Sequence, residues 1–486
     1  MERFLKFVLS DWGVKNTFYL KDRLQKGLYH FIGHESFGGI LLFICVIVAM
    51  ILANLPTTAE HYFSLWQSKI TLSFNDFQKE ITLIHLINDF LMSFFFLMVG
   101  LEMKREILYG DLMGFKKMSF SMFGALGGII IPITIYLAFN HNLTSSSGFG
   151  IAMSTDTAFA LGVIFLLGKR IPSVIKIFLV TLAVADDLVA IIIIAIFYTQ
   201  NIEIFWLCMA AVSLVGLIYL NYKDTKYIFL YLIFGAFLWY STLLSGIHPT
   251  ISAVLLAFCV PGKTKLNKMY FQKMLQELKK LDLQELSQTK DEAQEDGFFT
   301  SSKKAISKFF HNNQDQEVDI HKMSHYVHIL DSIGKYSYYA KNPLLGLEIA
   351  LQPLCAYFIV PLFAFANGGV KITAGSNLFA QPMMWGIFFG LVLGKPIGIL
   401  LFTYLSQKFN ISIKPKGLNY GHILATGFLA GIGFTMSMFV ATLAYEDKTM
   451  VDLAKLSVLF SSLVATLLGI IFLYLSTKPP KKDIPS

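Results

Sequence analysis

From Ser36 onward the chain alternates long apolar blocks with short polar connections. A helix satisfies its own backbone hydrogen bonds and needs about 20 apolar residues to cross a bilayer. On that length the blocks predict twelve spans: 36–55, 82–103, 118–139, 149–168, 174–199, 204–221, 226–243, 246–261, 346–367, 383–406, 420–445 and 453–475. The narrowest separations fall around 168–174 and 243–246. The first block follows a long polar, basic lead and reads as a span, not as the apolar region of a cleavable signal. The predicted fold class is an all-α integral membrane protein.

Two stretches interrupt this pattern. Residues 56–81 form a polar connection in which 70–77, Ile-Thr-Leu-Ser-Phe-Asn-Asp-Phe, predicts a short β-hairpin turning at Asn75-Asp76. Residues 262–345 form a long charged insertion. Within it Phe271, Leu275, Leu278, Leu281 and Leu286 recur at helical spacing, which predicts a surface-lying or coiled helix. The stretch from Ser287 to Gln316 is polar enough to be disordered. His321, His325 and His328 share one helical face, read as solvated ahead of a metal or pH role. The chain therefore divides into an N-terminal segment (1–35), eight spans (36–261), the insertion (262–345), four spans (346–475) and a tail (476–486).

Composition agrees: 55% of residues are hydrophobic and only 15% charged, against roughly a quarter in soluble domains. The formal net charge of +8 could suggest nucleic acid, but its distribution is a topology signal. With a cytoplasmic amino terminus, the inner connections carry Lys104, Arg105, Lys116, Lys117, Lys169, Arg170, Lys223, Lys226, Lys408, Lys414 and Lys416. The outer ones carry only Lys69, Lys79, Lys371 and Lys448, which places both termini inside. Cys45, Cys208, Cys259 and Cys355 lie in or at the ends of apolar blocks without metal-ligand spacing and read as small buried hydrophobes.

Ionisable residues within the spans carry the functional signal. Asp186 and Asp187 stand about a dozen residues into the fifth span, roughly 18 Å deep in a ~30 Å hydrocarbon core. Lys395 is equally deep in the tenth, and Asp156 lies in the fourth between Thr155 and Thr157. Each central charge costs at least ~2.5–3.5 kcal/mol, so the four together cost on the order of 10 kcal/mol, which helix packing alone does not require. Adjacent carboxylates point about 100° apart on a helix, so one can face a cavity and the other a neighbouring helix. Such a group holds either a proton or a hard cation, and competition between the two is the minimal chemistry of exchange. Ser154-Thr155-Asp156-Thr157 and residues 431–437 (Gly-Ile-Gly-Phe-Thr-Met-Ser) weaken their helices at corresponding places of two three-span groups, 118–199 and 383–475. Matched interruptions of this kind point to a transporter binding site.

These residues resemble the NhaA-type sodium/proton antiporters. The resemblance rests on Ile87-Asn88-Asp89, residues 96–106, Thr155-Asp156-Thr157 with the apolar run to Gly162, and Lys176 to Leu179 with Asp186-Asp187-Leu188. Ser245-Gly246-Ile247-His248, residues 361–367, Gly394-Lys395-Pro396 and residues 431–437 complete it. It covers the chain from about Ser36 to the last span, apart from the insertion.

The resemblance implies twelve transmembrane helices with inverted repeats, two interrupted helices that cross, and one short periplasmic β-hairpin. It further implies electrogenic, pH-regulated extrusion of Na⁺ or Li⁺ against H⁺ in the bacterial inner membrane, with no cofactor. By position Asp187 resembles the principal cation ligand and Asp186 its partner, the two holding the ion transiently. Lys395 resembles the lysine paired with that partner, and Thr155 and Asp156 the residues at the helix crossing. Glu102, Arg105, Glu106 and Glu348 resemble a cytoplasmic cluster tied to pH response, and His248, a further pH-response candidate, resembles a histidine near the outer face. The 70–77 hairpin resembles the one through which family members form homodimers. Two family histidines are replaced here by Ile349 and Gln352, and the insertion is far longer than the usual connector.

Rival readings fit less well. An intramembrane aspartyl protease needs its two aspartates on separate helices, whereas Asp186 and Asp187 are neighbours. A channel needs a selectivity ring, and no such loop is visible. A signalling sensor has no use for the central charges. A proton-coupled carrier of another cation or small solute stays open as the alternative.

Overall fold

The structure, a computed structural model, describes residues 36–74, 77–109, 115–141, 143–199, 202–225, 227–262, 342–372 and 378–477. Most of the insertion, including its three histidines and its amphipathic stretch, both terminal segments and the hairpin turn at Asn75-Asp76 lie outside the described residues.

Helix α1 (Ser36–Asn54) is followed by α2 (Ala59–Gln67), turned through 111°. The predicted hairpin is present and longer than expected. Strand β1 (Lys69–Phe74) pairs antiparallel with β2 (Phe77–Thr82), in a register from Lys69 opposite Thr82 to Phe74 opposite Phe77. Then come α3 (Leu83–Tyr109), α4 (Phe115–Phe139), a 3₁₀ run at Thr144–Met153, α5 (Thr157–Leu166), α6 (Ser173–Phe197), α7 (Ile204–Tyr222), α8 (Ile228–Ser245) and α9 (Thr250–Cys259). Beyond the insertion follow α10 (Pro343–Gly368), α11 (Pro382–Lys408), α12 (Tyr420–Ala430), α13 (Phe434–Ala444) and α14 (Lys448–Ser476).

Among the described residues eight helices are long and apolar enough to cross a membrane, or up to eleven if each of three bent pairs counts as one span. The chain is a multi-pass, mostly helical membrane protein with one small two-stranded sheet. The predicted eighth span, 246–261, is only the ten-residue α9. Gly246, at φ +85°, ends α8 in the left-handed region that glycine adopts without strain. Pro249 and Pro261 then bracket α9 and fix its short length. Cys259 and Cys355 are buried as expected, but Cys208 is exposed on α7.

Three helices contain a π turn: Leu86–Leu91 in α3, Cys355–Ile359 in α10 and Gly390–Gly394 in α11. The last two each lie just upstream of a proline, Pro361 and Pro396. Proline offers no N–H to the carbonyl four residues back and crowds it, so a widened turn there relieves the helix. Gly127 of α4 and Gly398 of α11 meet backbone to backbone, and a Cβ on either would collide with the other's carbonyl.

Candidate cation and proton site

The 3₁₀ run and α5 meet at a 42° bend, and α12 and α13 at a 48° bend. Both breaks occur where the sequence is rich in Gly, Ser and Thr, and the two breaks rest on one another. Asp156 N–H donates to the carbonyl of Ile432 at 2.6 Å. The Asp156 carboxylate, 2% exposed, caps two helices at once. Its Oδ1 accepts from Phe159 N–H of α5 at 3.0 Å. Its Oδ2 accepts from the N–H and hydroxyl of Thr435 in α13 at 3.0 and 2.6 Å. Two helix N-termini, each a partial positive charge, therefore share one negative group.

The opposite charge serves the C-terminal side of the break. Lys395, 1% exposed, donates to the Asp186 carboxylate Oδ2 and to Thr155 Oγ1, the latter at 2.8 Å. The Thr155 hydroxyl lies 2.5 Å from Asp186 Oδ2 and 2.9 Å from the carbonyl of Ala430 at the end of α12. Its one proton can serve only one of them at a time. Asp186 Oδ1 is buried without a hydrogen-bond partner among the described residues. A narrow crevice runs beside the pair, lined by Thr155, Leu182, Asp186, Lys395 and Ala430 among others.

Asp187 differs from its neighbour. It is only half-buried and has no hydrogen bond or ion pair to any described residue. Asp186, Glu102, Lys395 and Asp156 all act on it electrostatically. One carboxylate is thus locked by an ammonium, and the next has its oxygens free. That asymmetry follows from the ~100° between successive residues of α6. The site brings together Thr155, Asp156, Asp186, Asp187 and Lys395, each predicted from sequence. The donor set of carboxylate and hydroxyl oxygens suits a hard cation.

The predicted second cluster also assembles. Arg105 pairs with Glu348 at 2.8 Å, Glu106 at 3.0 Å and Glu102 at 3.8 Å, joining α3 to α10. His248 does not belong to it. Its ring lies 3.8 Å from Asp89, 2.7 Å from the Thr250 hydroxyl and edge-on to Phe439.

Two lysines have roles that sequence reasoning missed. Lys104, read as a topology charge, donates to the carbonyls of Phe258 and Val260 at 2.6 and 2.5 Å and so caps the C-terminal end of α9. Lys455 is buried near the start of α14 and donates to Asn367 Oδ1 at 3.2 Å, while Asn367 donates to Asn88 Oδ1 at 2.8 Å. Its place two residues inside the predicted last span was the available signal.

The family described as Na+/H+ antiporter 1 matches residues 29–473. A protein of Helicobacter acinonychis named Na(+)/H(+) antiporter NhaA is 44% identical over 460 residues, covering 94% of this chain and 97% of its own. Proteins of the same name from Helicobacter pylori and Wolinella succinogenes are each 43% identical, covering 93% and 94% of this chain and 96% and 94% of their own. With the match running through both broken helices and every charged residue of the site, the chain belongs to the Na+/H+ antiporter 1 family.

Proposed function

We propose that this chain is a secondary antiporter that exchanges Na⁺ or Li⁺ for protons at Asp187, with Asp186 and Lys395 as the coupled pair. The single observation that carries the reading is the contrast between neighbours: Asp186 is held by Lys395 and Thr155, whereas no described residue holds the Asp187 oxygens. A cation entering beside Asp187 competes with Lys395 for Asp186. Its charge and the lysine's repel each other in a low-dielectric site, so binding releases the pair. Protons returning to the carboxylates expel the cation and allow the pair to re-form. More than one proton then exchanges for each cation, and the cycle moves net charge. Asp156 does not ligand the ion on this reading, because its carboxylate is already committed to three donors.

The same reading has the chain in the bacterial inner membrane as twelve spans with inverted repeats. Each bent pair and the short α9 count as spans, and both termini and the insertion are cytoplasmic. The β1–β2 hairpin then lies outside, where a second copy can pair with its edge. The Arg105 cluster lies at the cytoplasmic end and tunes exchange to pH through its local field.

Everted vesicles carrying an imposed pH gradient test the reading, with Na⁺, Li⁺ and K⁺ added in turn. Na⁺ and Li⁺ collapse the gradient if it holds. A gradient that survives all three, or that responds to a small solute instead, sinks it.

A further inference from the structure

A lysine deep among membrane helices is expensive unless it is paired. Lys455 is 9% exposed and has no carboxylate within ion-pair distance among the described residues. Asp452, one turn earlier on α14, acts on it only through space. Its one hydrogen bond goes to a neutral amide, Asn367 in the last turn of α10. Asn367 in turn donates to Asn88, which lies in the π turn of α3. All three residues lie at the end of the molecule that bears the hairpin, since β2 runs directly into α3.

This chain is connected to the exchange site. Lys455 and Ser462 occupy one buried face of α14, seven residues or about 10 Å apart along its axis. Ser462 Oγ lies 3.3 Å from the Phe434 N–H at the start of α13, where the Asp156 cap is made. Phe363, one turn before Asn367, packs edge-on to Phe439, one turn beyond Thr435 in α13. Phe439 also touches Phe96 of α3 and His248. The three helices joined by these polar side chains therefore pack, with the 3₁₀ run Thr144–Met153, around the half-helix that leads from the site to the hairpin end.

We propose that Lys455, Asn367 and Asn88 form a latch that closes the hairpin end of the transport path and parts in each cycle. The proposal rests on the exchange reading above. A latch across three helices has to be strong enough to exclude the ion and weak enough to open. One charged hydrogen bond and one amide–amide bond meet that requirement, where a buried lysine–carboxylate pair would hold more firmly. Asn88 lies in an irregular turn that can rewind as it moves, which a regular α-helical turn resists. An ammonium with no carboxylate paired to it among the described residues also repels a cation whenever the latch is shut.

The test uses the full chain in proteoliposomes of one orientation, with Na⁺ supplied to either face. Lys455→Met keeps the length and apolar stem but removes the charge and the donor. The concentration for half-maximal exchange should fall about fivefold on the hairpin face and rise on the other, because weakening the latch shifts the population towards the state open there. Equal shifts on both faces, or lost heat stability with no shift, overturn the latch. A second arm joins Asn88→Cys to Asn367→Cys with a short cleavable bifunctional thiol reagent, after the four native cysteines are replaced. Exchange should stop on cross-linking and return on cleavage, and exchange that continues in cross-linked protein overturns the proposal. The unmutated chain runs alongside. If it moves no protons when Na⁺ is added, the exchange reading has failed rather than the latch.

Discussion

Thr435 gives both its N–H and its hydroxyl to one oxygen of Asp156, so the N-terminus of α13 rests on a carboxylate that belongs to the other broken helix. The two breaks are therefore one structural unit. Thr435→Val preserves shape while removing the hydroxyl, and should cost about 1–2 kcal/mol, the usual loss of a cap or a charged hydrogen bond. Thermal unfolding in detergent measures it, and an unchanged melting temperature would show that the two half-helices are held by something else.

Asp187→Asn should abolish exchange in a protein that still folds. An amide keeps the size of the side chain but cannot alternate between proton and cation. Cation-dependent proton movement at the unmutated rate, in variant protein of normal stability, would remove Asp187 from the site.

Lys395→Ala leaves Asp186 buried without its ammonium, and breaking such a pair costs roughly 3–5 kcal/mol. Heat stability in detergent should drop accordingly. If Lys395 also takes part in proton coupling, residual exchange should no longer respond to an imposed voltage. A destabilised variant that remains voltage-driven would confine the lysine to holding the helices.

Glu348→Gln removes one of three carboxylates around Arg105. A weaker negative field concentrates fewer protons at that end of α3, so the pH at which exchange begins should move down, with maximal rate changed by less than about twofold. Rate against pH measures this. An unmoved onset would reduce the cluster to a clasp between α3 and α10.

Deleting 265–340 and rejoining the ends should preserve basal exchange. Asn342 donates to the carbonyl of Gly262 at 2.7 Å, so the two flanks of the insertion already touch and a short linker can replace it. Normal membrane insertion with no exchange at any pH would make the insertion part of the mechanism.

The site was legible in the sequence because its members are anomalies of burial. Asp156, the adjacent pair Asp186-Asp187, and Lys395 stand out in apolar blocks, and lipid offers a charge no alternative to a protein partner. The breaks were legible because Gly, Ser and Thr weaken helices on any reading. Lys455 was not, since a charge near the start of a span looks like an interfacial anchor until the neighbouring helices are seen to cover it. The role of Lys104 was hidden for another reason: its acceptors are main-chain carbonyls of α9, which no side-chain pattern announces. Pairing His248 with Asp89 needed the packing of α9 against α3, which local sequence does not encode. The shortness of α9 was written in Pro249 and Pro261, but hydropathy alone smooths over such punctuation.

The contact between Gly127 and Gly398 bears on what can move. With no side chain between them, α4 and α11 share a seam of closely approaching backbones, which holds α11 against α4. Lys395 lies less than one turn from that seam, so its helix is a fixed mast rather than a swinging arm. Any change of partner by the ammonium has to come from rotation about its own side-chain bonds, or from α6 carrying the aspartates past it. On the exchange reading, the lysine's backbone is the stationary reference, and its partners change around it.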